Sequence, residues 1–138
     1  ATVADLHDLE RKVRYAMSFH GARYIHILVP CPLGWGAPSA KTIELARLAH
    51  ETGLFPVFEA EYGEVTNVSK IRRKQPVEKY LMLQKRFAHL FGKKGNPEIV
   101  QRMQALADRN IARSGLLGDE QGDDIPVPEQ AEERHHVI

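Results

Sequence analysis

The 138-residue sequence contains one cysteine. A lone thiol cannot close an internal disulfide, so the chain is not a bridge-stapled secreted scaffold. Excess charge is equally scarce: 19 Lys and Arg stand against 18 Asp and Glu, a formal net charge of +1. That balance argues against nucleic-acid binding driven by bulk electrostatics. No apolar run approaches the ~20 residues that a membrane-spanning helix requires. No internal repeat recurs, and no segment reads as a signal peptide. A cytoplasmic location is therefore expected. What remains is ordinary for a globular protein: 43% hydrophobic and 27% charged residues, enough chain for one domain with its own core.

The single cysteine sits in Pro30-Cys31-Pro32-Leu33-Gly34-Trp35-Gly36, directly after the apolar run at residues 24–29. Such a run between helical patterns reads as a buried strand of a parallel sheet. Ligands of open α/β sheets gather just beyond the carboxyl ends of the strands, where this loop would lie. Pro30 and Pro32 fix φ on both sides of the cysteine. A rigid thiol at a strand end suits a metal ligand or a nucleophile; a small buried core residue is the alternative. The nucleophile reading lacks a neighbouring base, because His26 is five residues back at a strand rise of ~3.3 Å per residue. His26 reads as a core or subunit-contact histidine.

The rest of the pattern is α/β. Residues 5–19 form an amphipathic helix through Leu6, Leu9, Val13, Ala16 and Met17, with Asp5 placed to cap it. A second helix runs from Ser39 to about Thr52 and stops at Gly53. Residues 55–60 read as a strand that Pro56 confines to a start or an edge. Tyr62-Gly63-Glu64 reads as a turn, with a short strand at 65–68. Pro76 opens a helix to about Phe91, and Asn96-Pro97-Glu98 opens another to Ser114, closed by Gly115. This order is the closing half of a doubly wound sheet followed by a helical extension. Residues 1–114 are expected to form that unit. Residues 115–138, acidic toward the end with prolines at 126 and 128, are expected to extend as a tail against a partner.

Other residues could carry chemistry. Glu59 and Glu61 alternate on one strand, as a catalytic carboxylate pair or as solvated strand-end acids. Lys70, Arg72, Arg73 and Lys74 form a basic cluster suited to an acidic partner or to plain solvent exposure. His135 and His136 could hold a metal or belong to a charged tail. Trp35 either shields whatever binds Cys31 or packs its own loop. The N–H groups of Leu33, Gly34 and Gly36 are candidate donors to sulfur.

The segment from Gly21-Ala22-Arg23-Tyr24 through Pro30-Cys31-Pro32 to Trp35 resembles the late part of the β subunit of 2-oxoacid:ferredoxin oxidoreductases, pyruvate synthase above all. Further matches follow in order: Lys41-Thr42-Ile43, Glu51-Thr52-Gly53-Leu54-Phe55-Pro56, Phe58-Glu59, and Pro76-Val77-Glu78-Lys79-Tyr80 with Gln84 and Arg86-Phe87. The resemblance covers residues 1 to about 90 and implies the closing part of a thiamine-pyrophosphate-binding domain. It further implies that Cys31 is the last of four thiolate ligands to a [4Fe–4S] cluster, the other three lying earlier in the subunit. Leu33 departs from the family, where threonine is frequent, and leaves the substrate class open. The Cys-x-x-Cys pair and the Gly-Asp-Gly…Asn motif for Mg²⁺ and thiamine pyrophosphate are absent from the 138 residues, which enter the family pattern partway along. The expectation is the C-terminal part of a β subunit.

The implied activity is CoA-dependent oxidative decarboxylation of a 2-oxoacid, pyruvate first, with electrons passed to ferredoxin or a similar acceptor. The implied partners are the remainder of the β subunit and the other subunits, with no nucleic acid and no membrane span. Two alternatives come from other classes. One is a non-catalytic α/β interaction module with Cys31 buried and inert. The other is an anion- or nucleic-acid-binding piece built on Arg72, Arg73 and Lys74.

Overall fold

The computed structural model describes residues 1–118. Helices α3 (Thr42–Glu51), α4 (Val77–Met82) and α5 (Pro97–Ser114) share the main core. Each turns a short apolar stripe inward: Leu45, Leu48 and Ala49 from α3, Val77, Tyr80 and Leu81 from α4, and Ala107 from α5. Leu45, Leu81 and Ala107 are almost wholly buried, and burial of such apolar side chains stabilises the unit. A smaller cluster of Ile71, Ile111 and Leu116 extends it past the end of α5. Ile71 N–H donates to the Leu116 carbonyl at 2.6 Å, so packing continues beyond Gly115 to the Ile71–Leu117 bridge. Residues 119–138, including His135 and His136, lie outside the described residues.

The capping chemistry is local. Asn96 accepts from Ile99 N–H at 3.2 Å, Pro97 occupies the first turn, and Gly115 ends the helix in the left-handed region, as the sequence predicts. The free N–H of Val77 at the start of α4 is satisfied by Gln104 Oε1 on α5 at 3.0 Å, tying the two helices together. Gly53, at φ +80, follows α3 and lies against α5. Its carbonyl accepts from Asn110 Nδ2 at 3.0 Å.

The helix expected from Pro76 to Phe91 breaks in two. It ends at Met82 and resumes as a 3₁₀ turn, Lys85–Leu90. The cause is Gln84, 1% exposed, whose backbone is extended. Its side-chain amide donates to the Tyr80 carbonyl at 2.7 Å, taking over a carbonyl that a continuing helix would have used.

The only named strands in the described residues are β1 (Phe58–Glu61) and β2 (Glu64–Val68), an antiparallel hairpin with a bulge between Glu59 and Ala60. Tyr62 and Gly63 make the turn with φ of 52° and 88°, the positive pair that a tight two-residue hairpin demands. The buried strand expected at 24–29 does not form. Among the described residues its backbone meets a neighbour along one edge only, where Leu28 N–H donates to the Ala1 carbonyl and Val3 N–H to the Leu28 carbonyl, at 3.0 and 3.2 Å. A parallel strand is buried only when flanked on both edges and covered on both faces. Here Tyr24 is 85% and Val29 57% exposed. The fold is thus mixed helix and sheet, with the sheet component smaller than the sequence pattern suggests.

Helix α1 (Leu6–Met17) forms as expected, with Asp5 Oδ1 accepting from Asp8 N–H at 2.9 Å. Its apolar stripe is not covered, however: Leu6 and Met17 are both about two-thirds exposed. The helix meets the hairpin through polar side chains instead, Arg11 to Glu59 and Tyr15 to Glu61. An open cleft of about 820 Å³ lies between them, lined by Lys12, Tyr15, Phe19, Tyr24, Phe55 and Phe58 among others.

Gly53 supplies a test of the core. A Cβ there would stand 2.6 Å from Ile111 Cγ1 and 2.9 Å from the Ala107 carbonyl oxygen. Gly53→Ala is expected to cost roughly 2–4 kcal/mol from backbone strain and overpacking, read as a lowered urea midpoint. A loss below ~0.5 kcal/mol, within the range of neutral surface changes, would contradict this packing.

Candidate functional site

The Pro-Cys-Pro segment folds into one helical turn, α2 (Pro32–Trp35). Pro32 sits at its first position and Gly36 just past its end, at φ 62°. This proline-first, glycine-last arrangement was visible in the sequence. Cys31 is the N-cap, with its sulfur accepting from Gly34 N–H at 3.4 Å. The backbone closes behind it: Trp35 N–H donates to the Cys31 carbonyl at 3.0 Å, Gly36 N–H to Leu33 and Ala37 N–H to Pro32. Of the three candidate sulfur donors, Gly34 points at the thiol, whereas Gly36 spends its N–H on the turn.

Cys31 is exposed and free, and Leu33 beside it is 95% exposed. The burial of Cys31 expected under the interaction-module alternative is therefore corrected. Pro30, just before the turn, is buried, so the chain passes from the interior to the surface at Cys31. A Cβ on Gly34 would lie 3.5 Å from Sγ, ordinary contact distance, so the glycine leaves that flank open.

The turn rests on residues 84–87. Gly36 packs so closely on Lys85 that a Cβ would come within 2.7 Å of the lysine Cβ, and Lys85 N–H donates to the Gly36 carbonyl at 3.3 Å. The Arg86 guanidinium lies over the Trp35 ring at 4.1 Å and over Phe87 at 4.7 Å. Arg86 Nε also donates to Gln84 Oε1 at 2.9 Å. Burial raises the pKa of the Tyr80 hydroxyl, against the opposing influence of the Arg86 charge and the Gln84 side chain. Trp35 thus packs at the margin of the core. From the sequence, Arg86 enters only through the family resemblance and Gln84 there and on one face of the helix expected from Pro76 to Phe91; their role depends on a helix break that helical periodicity conceals.

The other candidates are not brought to the cysteine turn. His26 is exposed and stacks edge-on against Phe55, with centroids 5.4 Å apart. Its carbonyl accepts from the Ala1 amino group at 2.9 Å. Glu59 binds Arg11 through two contacts and accepts from Asn67 Nδ2 at 3.1 Å. Glu61 accepts from the Tyr15 hydroxyl at 2.7 Å. Both acids serve the α1–hairpin contact, so the catalytic-pair reading gains nothing. In the basic cluster, Lys70 donates to the Gly115 carbonyl at 2.7 Å and Lys74 pairs with Asp108 at 2.7 Å. Arg72 and Arg73 are exposed. Among the described residues no group of three or more His, Cys, Asp or Glu side chains is placed to hold a metal. Nor is any helix long and apolar enough to cross a membrane.

A single outward thiol with one N–H donor completes no metal site by itself among the described residues. No family model matches the chain. Individual proteins do. The chain is 50% identical over 104 residues to pyruvate synthase subunit PorB of Methanosarcina barkeri, a match covering 75% of this chain and 35% of that protein. It is 43% identical over 109 residues to pyruvate synthase subunit PorB of Methanocaldococcus jannaschii, 79% of this chain and 35% of the relative. It is also 39% identical over 104 residues to ketoisovalerate oxidoreductase subunit VorB of Pyrococcus abyssi, 74% of this chain and 33% of the relative. The chain spans about a third of the length of these curated relatives. It belongs, as a partial sequence, to the β subunits of the 2-oxoacid:ferredoxin oxidoreductases.

The α1–hairpin contact has a defined pH dependence. Burial opposes ionisation of Glu59, but hydrogen bonds from Arg11 and Asn67, with the charges of Arg11 and Lys12, outweigh it and hold the carboxyl below its usual value. Its contribution to stability is therefore full above the unfolded carboxyl value of ~4.3 and is lost as pH falls through the lower folded value. Glu59→Gln is expected to lower the urea midpoint at neutral pH and to converge on the parent toward pH ~2. A loss that stays constant across that range would contradict the pairing.

Proposed function

We propose that this chain works as part of an enzyme that oxidatively decarboxylates a 2-oxoacid to an acyl-CoA, with Cys31 as one ligand of the proximal [4Fe–4S] cluster. In such enzymes thiamine pyrophosphate with Mg²⁺ supplies the carbanion chemistry and iron–sulfur clusters carry the electrons away. The observation that carries the reading is the exposed thiol on a proline-braced turn, in a chain whose relatives are named as pyruvate synthase and ketoisovalerate oxidoreductase subunits. Pyruvate is the substrate favoured, since relatives 50% and 43% identical are named as pyruvate synthase subunits, and ferredoxin or a similar carrier is the acceptor. The location is cytoplasmic.

The chain's own residues have limited tasks in this scheme. Cys31 supplies a thiolate, and Gly34 N–H donates to its sulfur, the kind of bond that tunes a cluster's potential. Trp35 limits water at one side of the turn. The exposed stripe on α1 and the uncovered run at 24–29 supply apolar surface for the remainder of the β subunit. Thiamine pyrophosphate and Mg²⁺ are held mainly by residues outside this chain.

In the assembled oxidoreductase, Cys31→Ser is expected to remove one cluster's iron and the visible absorbance that goes with it, while the subunits still co-purify. Full iron content and an unchanged visible spectrum in that variant would sink the ligand assignment.

A further inference from the structure

We propose that Arg86 is the positioning residue for Cys31, fixing the orientation of the cysteine turn through the Trp35 ring. The inference rests on the reading of Cys31 as a cluster ligand. Pro30, Pro32 and the hydrogen bonds of α2 make residues 30–36 a stiff unit, so the direction of Sγ follows how that unit sits on the protein. It sits on residues 84–87. Gly36 fixes one end against Lys85, and the Arg86–Trp35 stack fixes the face beside it.

Arg86 is itself exposed, and an exposed arginine ordinarily samples many rotamers. This one is committed twice. Its Nε is bonded to an amide that is 1% exposed, and its guanidinium plane lies against two rings. Gln84 cannot swing, because its own N–H₂ group holds the Tyr80 carbonyl at the end of α4. The result is a rigid line from the helical core, through Gln84, Arg86 and Trp35, to the turn that bears the thiol. Arginine suits this place because one planar group can stack and donate an in-plane hydrogen bond together; an ammonium cannot do both. Residues that orient a metal ligand in this way typically change metal retention by 10–100-fold when replaced.

The test uses the assembled oxidoreductase with its complete β subunit, comparing Arg86→Met, Arg86→Lys, Trp35→Leu, Cys31→Ser and the core variant Leu48→Ala. Iron content, the electron paramagnetic resonance spectrum of the reduced complex and the rate of bleaching by an iron chelator in air are read with the melting temperature. Arg86→Met and Trp35→Leu are expected to assemble with full iron, to show an altered cluster signal, and to bleach roughly 10-fold faster than the parent. Arg86→Lys should fall between them and the parent. Leu48→Ala should lower the melting temperature yet bleach at the parent rate. If Arg86→Met does not assemble, Arg86→Lys and Trp35→Leu decide by the same criteria. Parent bleaching and spectra in the Arg86 and Trp35 variants, with iron lost in Cys31→Ser, would overturn the positioning role and leave the ligand reading standing. Equal acceleration by Leu48→Ala would reduce the effect to general loosening and overturn it as well. Iron retained in Cys31→Ser would remove the ligand reading, and this inference with it.

Discussion

A buried amide organises the functional end of this chain. Gln84 ends helix α4 by taking the Tyr80 carbonyl and, with its other atom, accepts from Arg86. Without that break, residues 84–87 would continue along a helix and present no platform to the cysteine turn. With it, Lys85 meets Gly36 and Arg86 covers Trp35. A polar group so deeply placed is stable only because both its donor and its acceptor are used. The same pairing that satisfies burial thus sets the position of Cys31.

A second constraint is the surface left uncovered. The main core is built from α3, α4 and α5 with Leu90 of the 3₁₀ turn, while α1 and residues 24–29 carry apolar side chains into solvent. Several large apolar side chains left exposed on neighbouring segments are a feature of interaction surfaces. The chain spans about a third of its relatives' length, and the remainder of such a subunit is a natural partner for that face. The cleft between α1 and the hairpin lies on this side, and Cys31 is not among its lining residues. The polar links Arg11–Glu59 and Tyr15–Glu61 hold α1 near the hairpin in place of an apolar seam. Such partly exposed links contribute modestly.

Much of the fold was legible wherever local chemistry decides it. Asn96, Pro97 and Gly115 bound α5 as read, Asp5 caps α1, and Tyr62-Gly63 turns the hairpin. The failures lie where structure depends on distant partners. Residues 24–29 have the composition of a buried parallel strand, but composition cannot supply the neighbouring strands that bury one. Pro76 to Phe91 has helical periodicity, and the competing bond from Gln84 to a carbonyl one turn back leaves no trace in that pattern. At the site, the two prolines announced a rigid backbone around Cys31, but its exposure and the helical turn that follows it were not legible, because the strand expected before it does not form. The Arg86 stack joins residues 51 positions apart in sequence, so only the folded chain reveals it.

The central claim is that Cys31 meets iron. An anomalous-difference map collected at the iron edge from crystals of the assembled oxidoreductase tests this most directly. The account predicts a cluster-sized iron peak within bonding distance of the Cys31 sulfur, completed by three thiolates from elsewhere in the complex. A map in which every cluster is fully ligated by other residues, with Cys31 standing apart from all of them, would contradict it.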